Sequence, residues 1–191
     1  MKRSDIAIFT KIPTLKTERL TMRALTVADA ADMFEYSCGT AVPKYLLWSP
    51  HKDIFVTRSH LRYLRTQYAA GEYYDWALVL TEENKMIGTC GFSHFDLDND
   101  SAEVGYVLND KYWGKGYATE AVRRIVEFAF DCLPLNRLSL RILDGNDASV
   151  RVAERCGFRR EGTHIDALLV KGHYVTYHDY ALLRDEYINR R

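Results

Sequence analysis

The chain has 191 residues, 47% of them hydrophobic and 27% charged, with 26 Lys and Arg against 26 Asp and Glu. That length and apolar content suit one globular domain over residues 1–191, able to bury most of its apolar surface without disulfides or a structural metal, and exclude a disordered or collagen-like class. Formal neutrality, with no long basic run, excludes a dominant electrostatic grip on nucleic acid or anionic lipid, so neither DNA nor a membrane is expected as a partner.

The first predicted element is a half-buried strand over residues 19–25, where polar and apolar residues alternate. Thr26 and Asp29 then form a capping box, and Val27, Ala30, Ala31 and Phe34 make an apolar stripe at helical spacing. A second helix is expected over residues 55–68, stopping at Gly71. Strands at 76–80 and 86–92, joined by the polar turn 82–84, read as a hairpin. The loop 96–100 leads to a strand at 102–108. A helix over 119–132, a strand at 138–143, a short helix over 148–155 and closing strands complete the order. Hairpins followed by strands joined through helices imply a mixed α/β (α+β) sheet with helices packed on it.

No apolar stretch approaches the roughly 18 residues that cross a bilayer, and the N-terminus enters no signal-peptide core, so a soluble cytoplasmic protein is expected. Cys38, Cys90, Cys132 and Cys156 form no C-x-x-C pair and read as small buried thiols. Asp96, Asp98 and Asp100 resemble the start of a calcium loop, but Ser101 and Val107 stand where its Gly and Glu belong; no metal is expected.

The segment from Trp113 to Glu120 carries the chemistry. Gly114, Gly116 and Ala118 lie where a strand feeds an amphipathic helix, so the backbone can approach a ligand and present the unpaired N–H groups of the first turn to an anion. The Walker spacing is absent, and a dinucleotide fingerprint would need Gly where Thr119 stands.

The pattern Q/R-x-x-G-x-G/A is the coenzyme A pyrophosphate loop of the GNAT superfamily of N-acetyltransferases, and this chain resembles it with Trp113, Gly116 and Ala118 in the marked places. The run Trp113 to Ala121, W-G-K-G-Y-A-T-E-A after a G-Y strand, resembles the RimJ/RimL-type ribosomal-protein N-terminal acetyltransferases, where Trp in the first place is a subfamily mark. Thr17-Glu18-Arg19-Leu20 resembles the opening strand, Ile87-Gly88 with Gly91 the central hairpin, and Asn146, Ser149, Val152 and Gly157-Phe158 the late N-x-x-S element, so the likeness spans a core from about 17 to 187.

The resemblance implies a mostly antiparallel twisted sheet with one splayed parallel pair, helices on both faces, and acetyl-CoA in the splay. It implies cofactor contacts from the backbone of Tyr106, Val107 and Leu108, from Trp113, Gly114, Lys115, Gly116, Tyr117, Ala118 and Thr119, and from Asn146 with Ser149; Asn146 also reads as a helix N-cap. Glu103 is the candidate base, with an outward strand glutamate in an ion pair as its bland counterpart and His94 in reserve. Ala153 stands where many relatives carry a Tyr that protonates the leaving thiolate. Tyr73, Tyr74, Tyr174 and Tyr177 are candidates for the acceptor pocket, and Arg123 and Arg124 for the 3′-phosphate.

The expected activity is acetyl transfer to a primary amine by direct attack. A protein N-terminal amino group and a small amine such as a polyamine, amino sugar or antibiotic remain open as acceptor. A binding module that senses acyl-CoA without turnover is the rival, and monomer and homodimer are both open.

Overall fold

The computed structural model describes residues 1–190. Eight strands form one sheet in the order β1-β2-β3-β4-β5-β6-β8-β7: β1 (Leu15–Lys16), β2 (Leu20–Arg23), β3 (Tyr74–Leu80), β4 (Lys85–Asp96), β5 (Ser101–Leu108), β6 (Arg137–Leu143), β7 (Arg159–Val170) and β8 (His173–Leu183). Neighbours pair antiparallel except β5 with β6, which run parallel. This is the mixed architecture expected from the sequence.

Helices α1 (Ala30–Ser37) and α2 (Ile54–Ala70) cover one face, where Met33, Leu61 and Leu64 meet Ala77, Val79 and Met86. Helices α3 (Tyr117–Cys132) and α4 (Asp147–Arg155) cover the other, with Ala121, Ile125 and Ala153 against Trp76, Val104 and Leu140. A short helix, α5 (Arg184–Ile188), follows β8. Alternation along β3 sends Trp76, Leu78 and Leu80 to one core and Ala77 and Val79 to the other.

Local signals act as chemistry requires. Asp29 accepts from the Thr26 N–H at 2.7 Å, but the turn it opens, Val27–Asp29, is 3₁₀ before α1 begins. Gly71 closes α2 at φ 67°, a left-handed position that glycine takes without strain. Helix α3 begins at Tyr117, two residues before the predicted onset, because Gly116 rather than Thr119 turns the chain.

Other features differ from expectation. Residues Arg3–Lys11 form a 3₁₀ segment that the sequence did not announce; it delivers Phe9, fully buried, edge-on to Tyr74 at 5.0 Å and Trp76 at 5.4 Å. Tyr74 thus belongs to an aromatic core and not to an acceptor pocket. Of the cysteines Cys90 is buried, whereas Cys38 and Cys132 are exposed. Among the described residues no helix is long and apolar enough to cross a membrane, and no cluster of three metal-binding side chains occurs.

Candidate active site

Strands β5 and β6 pair at Ser101–Arg137, Ala102–Leu138 and Glu103–Ser139 and then diverge, while β4 stays paired to β5 as far as Leu108. The divergence leaves the β6-facing edge of residues 104–108 open. A cleft of about 230 Å³ occupies that gap, walled by Tyr106, Val107 and Leu108, by Trp113, Gly114, Gly116, Tyr117, Ala118 and Thr119, and by Asn146 and Ser149. Eleven of the predicted cofactor residues therefore converge on one cleft, and Lys115 stands outside its wall. The Trp113 indole donates to the Leu108 carbonyl at 2.8 Å, fastening the loop to the end of β5.

The loop fits an anion. Gly114 and Gly116 have φ of 74° and 84°, and Gly116 is the N-cap of α3 with no side chain capping the helix. The first intrahelical bond is Glu120 N–H to Gly116 O at 3.0 Å, so the N–H groups of Tyr117, Ala118 and Thr119 open toward the cleft. The other long helices differ: Asp53 caps α2 and Asn146 caps α4, accepting from Ser149 N–H at 3.3 Å. Asn146 and Ser149 are thereby joined at the cleft, consistent with the N-cap reading.

A carboxylate in the first turn of α3 would repel an anion there, and the fold cancels it. Glu120 accepts from Thr17 Oγ1 at 2.5 Å, Arg19 N–H at 2.9 Å and Arg19 Nε at 2.7 Å, and pairs with Arg19 Nη2 at 2.6 Å. Burial pushes its carboxyl up, but these donors outweigh burial and hold it below the usual range. Arg19 also donates to the Lys115 carbonyl at 3.0 Å and stacks over the Tyr117 ring at 4.3 Å. This clamp shapes the loop. Sequence reasoning noticed Thr17-Glu18-Arg19-Leu20 only as a family mark.

The sequence also missed the cover of the cleft. Val42, Tyr45 and Leu46, from the segment joining α1 to α2, line it from above, and the Tyr45 hydroxyl donates to Gly145 O at 2.9 Å. Arg123 donates to Arg155 O at 3.0 Å, and Arg124 lies 3.6 Å from Glu127; both border a polar recess beneath Gly116 with Lys16, Arg19 and Arg155.

Glu103 lies on the α1/α2 face of β5, outside the cleft wall. Its Oε1 accepts from Ser93 Oγ at 3.0 Å and its Oε2 is 3.5 Å from Arg141 Nη2. Arg141 sits over the Tyr177 ring at 4.9 Å, and Tyr177 stacks on His164 at 4.6 Å. Tyr174 and His94 are exposed. Ala153 is fully buried, and the Tyr106 hydroxyl, enclosed among Ser149, Cys90 and Cys156, makes no hydrogen bond of ordinary geometry.

Residues 19–159 match the family model described as an acetyltransferase (GNAT) domain. The chain is 33% identical to the N-acetyltransferase p20 of Bacillus licheniformis, over 91% of this chain and 98% of that protein. Its fold superposes on a GNAT-family acetyltransferase from Bacillus anthracis with a TM-score of 0.82 and 26% identity, covering 91% of this chain and 99% of that one. The self-immunity acetyltransferase MccE, solved with acetyl-CoA and AMP, has the same fold at a TM-score of 0.79 and 20% identity, over 87% of this chain and 93% of that one. The splayed pair, the uncapped helix start and these likenesses converge: the chain belongs to the GNAT acetyltransferase family and is an acetyl-CoA-dependent N-acetyltransferase.

Proposed function

We propose that this protein, as one domain, acetylates a primary amine by direct attack and that its acceptor is the α-amino group of a protein N-terminus. The observation that carries the cofactor half is the uncapped start of α3 opening on the same cleft as the splay. The resemblance of the Trp113 to Ala121 run to ribosomal-protein N-terminal acetyltransferases supports the acceptor.

When bound, acetyl-CoA supplies an activated acetyl thioester. The N–H groups of Tyr117, Ala118 and Thr119 hold its pyrophosphate, and Arg19 keeps Glu120 from opposing that charge. Backbone groups of Tyr106, Val107 and Leu108 align the pantetheine arm along the open edge of β5, and Asn146 with Ser149 flanks the sulfur end. An N–H on that edge stabilises negative charge developing on the carbonyl oxygen, a fixed donor needing no reorganisation. Glu103 takes the amine proton directly or through a water, and its contacts with Ser93 and Arg141 fix where the carboxylate stands.

Calorimetric titration of acetyl-CoA tests the cofactor half against Gly116→Glu, which places a negative charge in the cradle. Repulsion worth several kcal/mol weakens binding by about 100-fold or more. Native protein that binds no acetyl-CoA overturns the reading. Rates on peptides with free or blocked N-termini and on a small-amine panel then test the acceptor: turnover confined to small amines removes the protein N-terminus.

A further inference from the structure

Asp75, Gly91 and Gly105 stand in one row across β3, β4 and β5, since Asp75 is paired with Gly91 and Gly91 with Gly105. The row lies on the α1/α2 face, the face of Ala77 and Val79, which also carries Ser93 and Glu103. A Cβ on Gly91 would come within 2.7 Å of Asp75 Oδ1, so the carboxylate lies over Gly91 and leans toward β5. A Cβ on Gly105 would meet nothing closer than Ser93 Cβ at 3.8 Å, so the floor continues open beside the splay, about one strand spacing of 4.8 Å further on.

The carboxylate has no counter-ion. Its Oδ2 accepts from the Tyr73 hydroxyl at 3.1 Å and the Thr89 hydroxyl also approaches the carboxyl, while Oδ1 is sealed from solvent and makes no hydrogen bond of ordinary geometry. The titratable groups around it are Tyr36 from α1, Tyr68 from α2, Tyr73 just ahead of β3 and Cys90 on β4; on β5 the nearest charge along this face is Glu103. Among the described residues no Lys, Arg or His pairs with it. Asp29, the other enclosed acid on this side, is held by Arg23 at 2.6 Å. Burial pushes the Asp75 carboxyl up to about 7, against hydrogen bonds from Tyr73 and Thr89 that act the other way. A buried acid without a cation is costly unless a ligand brings one.

We propose that Asp75 is the anionic anchor for the acceptor's ammonium group, selecting amines that arrive as aliphatic ammonium ions over neutral isosteres. The inference rests on the acetyl-transfer reading above. Docked against the carboxylate from the open floor at Gly105, the nitrogen lies over β5 beside the splay, and Glu103, two residues along the same face of β5, takes its proton. The Tyr73 hydroxyl on Oδ2 and the Tyr68 hydroxyl on the Asp75 carbonyl hold the acid in place for a compact cation.

Carbon-detected NMR of the Asp75 carboxyl in the native protein tests the anchor without turnover. With saturating n-butylamine, which is cationic near neutrality, the titration midpoint falls by about one pH unit or more; with 1-butanol it stays. No movement with n-butylamine, or equal movement with both, overturns the proposal. In steady state, Asp75→Asn raises the amine KM about tenfold or more and leaves kcat and the acetyl-CoA KM within about twofold. Gly105→Val, which fills the row but keeps Asp75, does the same to the amine KM, so a poorly folding Asp75→Asn leaves the proposal testable. Unchanged amine KM in both variants overturns it. A native protein that acetylates no amine defeats the functional reading alone, because the titration still reports on the anchor.

Discussion

Glu120 and Asp75 are both carboxylates drawn partly out of water, one in the cofactor half and one in the acceptor half, and the fold treats them oppositely. Glu120 is met by Thr17 and by three groups of Arg19, and its carboxyl is held below the usual range although burial opposes this. Asp75 is enclosed by tyrosines, keeps one oxygen unpartnered, and is pushed up to about 7. The first charge is cancelled where it stands, so the neighbouring helix start stays free for an anion. The second is left uncancelled, which costs stability and suits a site that waits for a cation. One half of the molecule is finished by folding; the other is completed by its ligand.

The largest break in that comparison comes from the third carboxylate. Glu103→Gln lowers kcat by about 10²-fold or more, partly regained at high pH where the amine is already neutral, and leaves acetyl-CoA affinity unchanged. An intact rate places the proton acceptor elsewhere. Next in size is Glu120→Ala, which strands Arg19 and loosens the loop: we expect a loss of about 2 kcal/mol, a Tm lower by about 4–8 °C in thermal melts, and acetyl-CoA binding weakened roughly tenfold. Unchanged affinity would make the clamp purely structural.

The two carboxylates also predict opposite pH slopes. Glu120 titrates lower in the folded chain than in the unfolded one, so its contribution is present above the unfolded value of about 4.5 and is lost as pH falls through the folded one. Asp75 titrates higher when folded, so the native state holds its proton more firmly between about 4 and 7; stability declines as pH rises through that window and stays lower above it. Asp75→Asn therefore stabilises at pH 8 by about 1–2 kcal/mol, or about 2–4 °C in Tm per kcal/mol, and changes little at pH 4. A destabilised variant at pH 8 would show that the charge is already compensated in the free protein.

The sequence made one of these halves far more legible than the other. The cleft residues follow from the resemblance of short contiguous motifs to a family, and the Asn146 cap and the order of strands and helices from spacings of one to four residues; such local rules survive folding. What escaped is long-range. Arg19 and Glu120 are 101 residues apart, and Phe9 reaches its aromatic partners from a segment without regular periodicity. Asp75 is invisible for a different reason: its property is the absence of a counter-ion, and a row of Asp75, Gly91 and Gly105 exists only once three strands are in register.

The smallest expected effect concerns the cover of the cleft, which joins the two halves. Tyr45 bonds to Gly145 O beside the Asn146 cap, and Pro43 O accepts from Lys171 Nζ at 2.5 Å, so the segment between α1 and α2 is pinned at both sides of the cofactor wall. Tyr45→Phe removes one hydrogen bond worth about 0.5–1.5 kcal/mol and keeps the ring that lines the cleft. The cover should open more often without changing shape, so the acetyl-CoA off-rate in stopped flow rises roughly two- to tenfold while the on-rate stays. An equal rise in both rates would mean that the segment gates entry, and the cover would then belong to the acceptor's path as much as to the cofactor's wall.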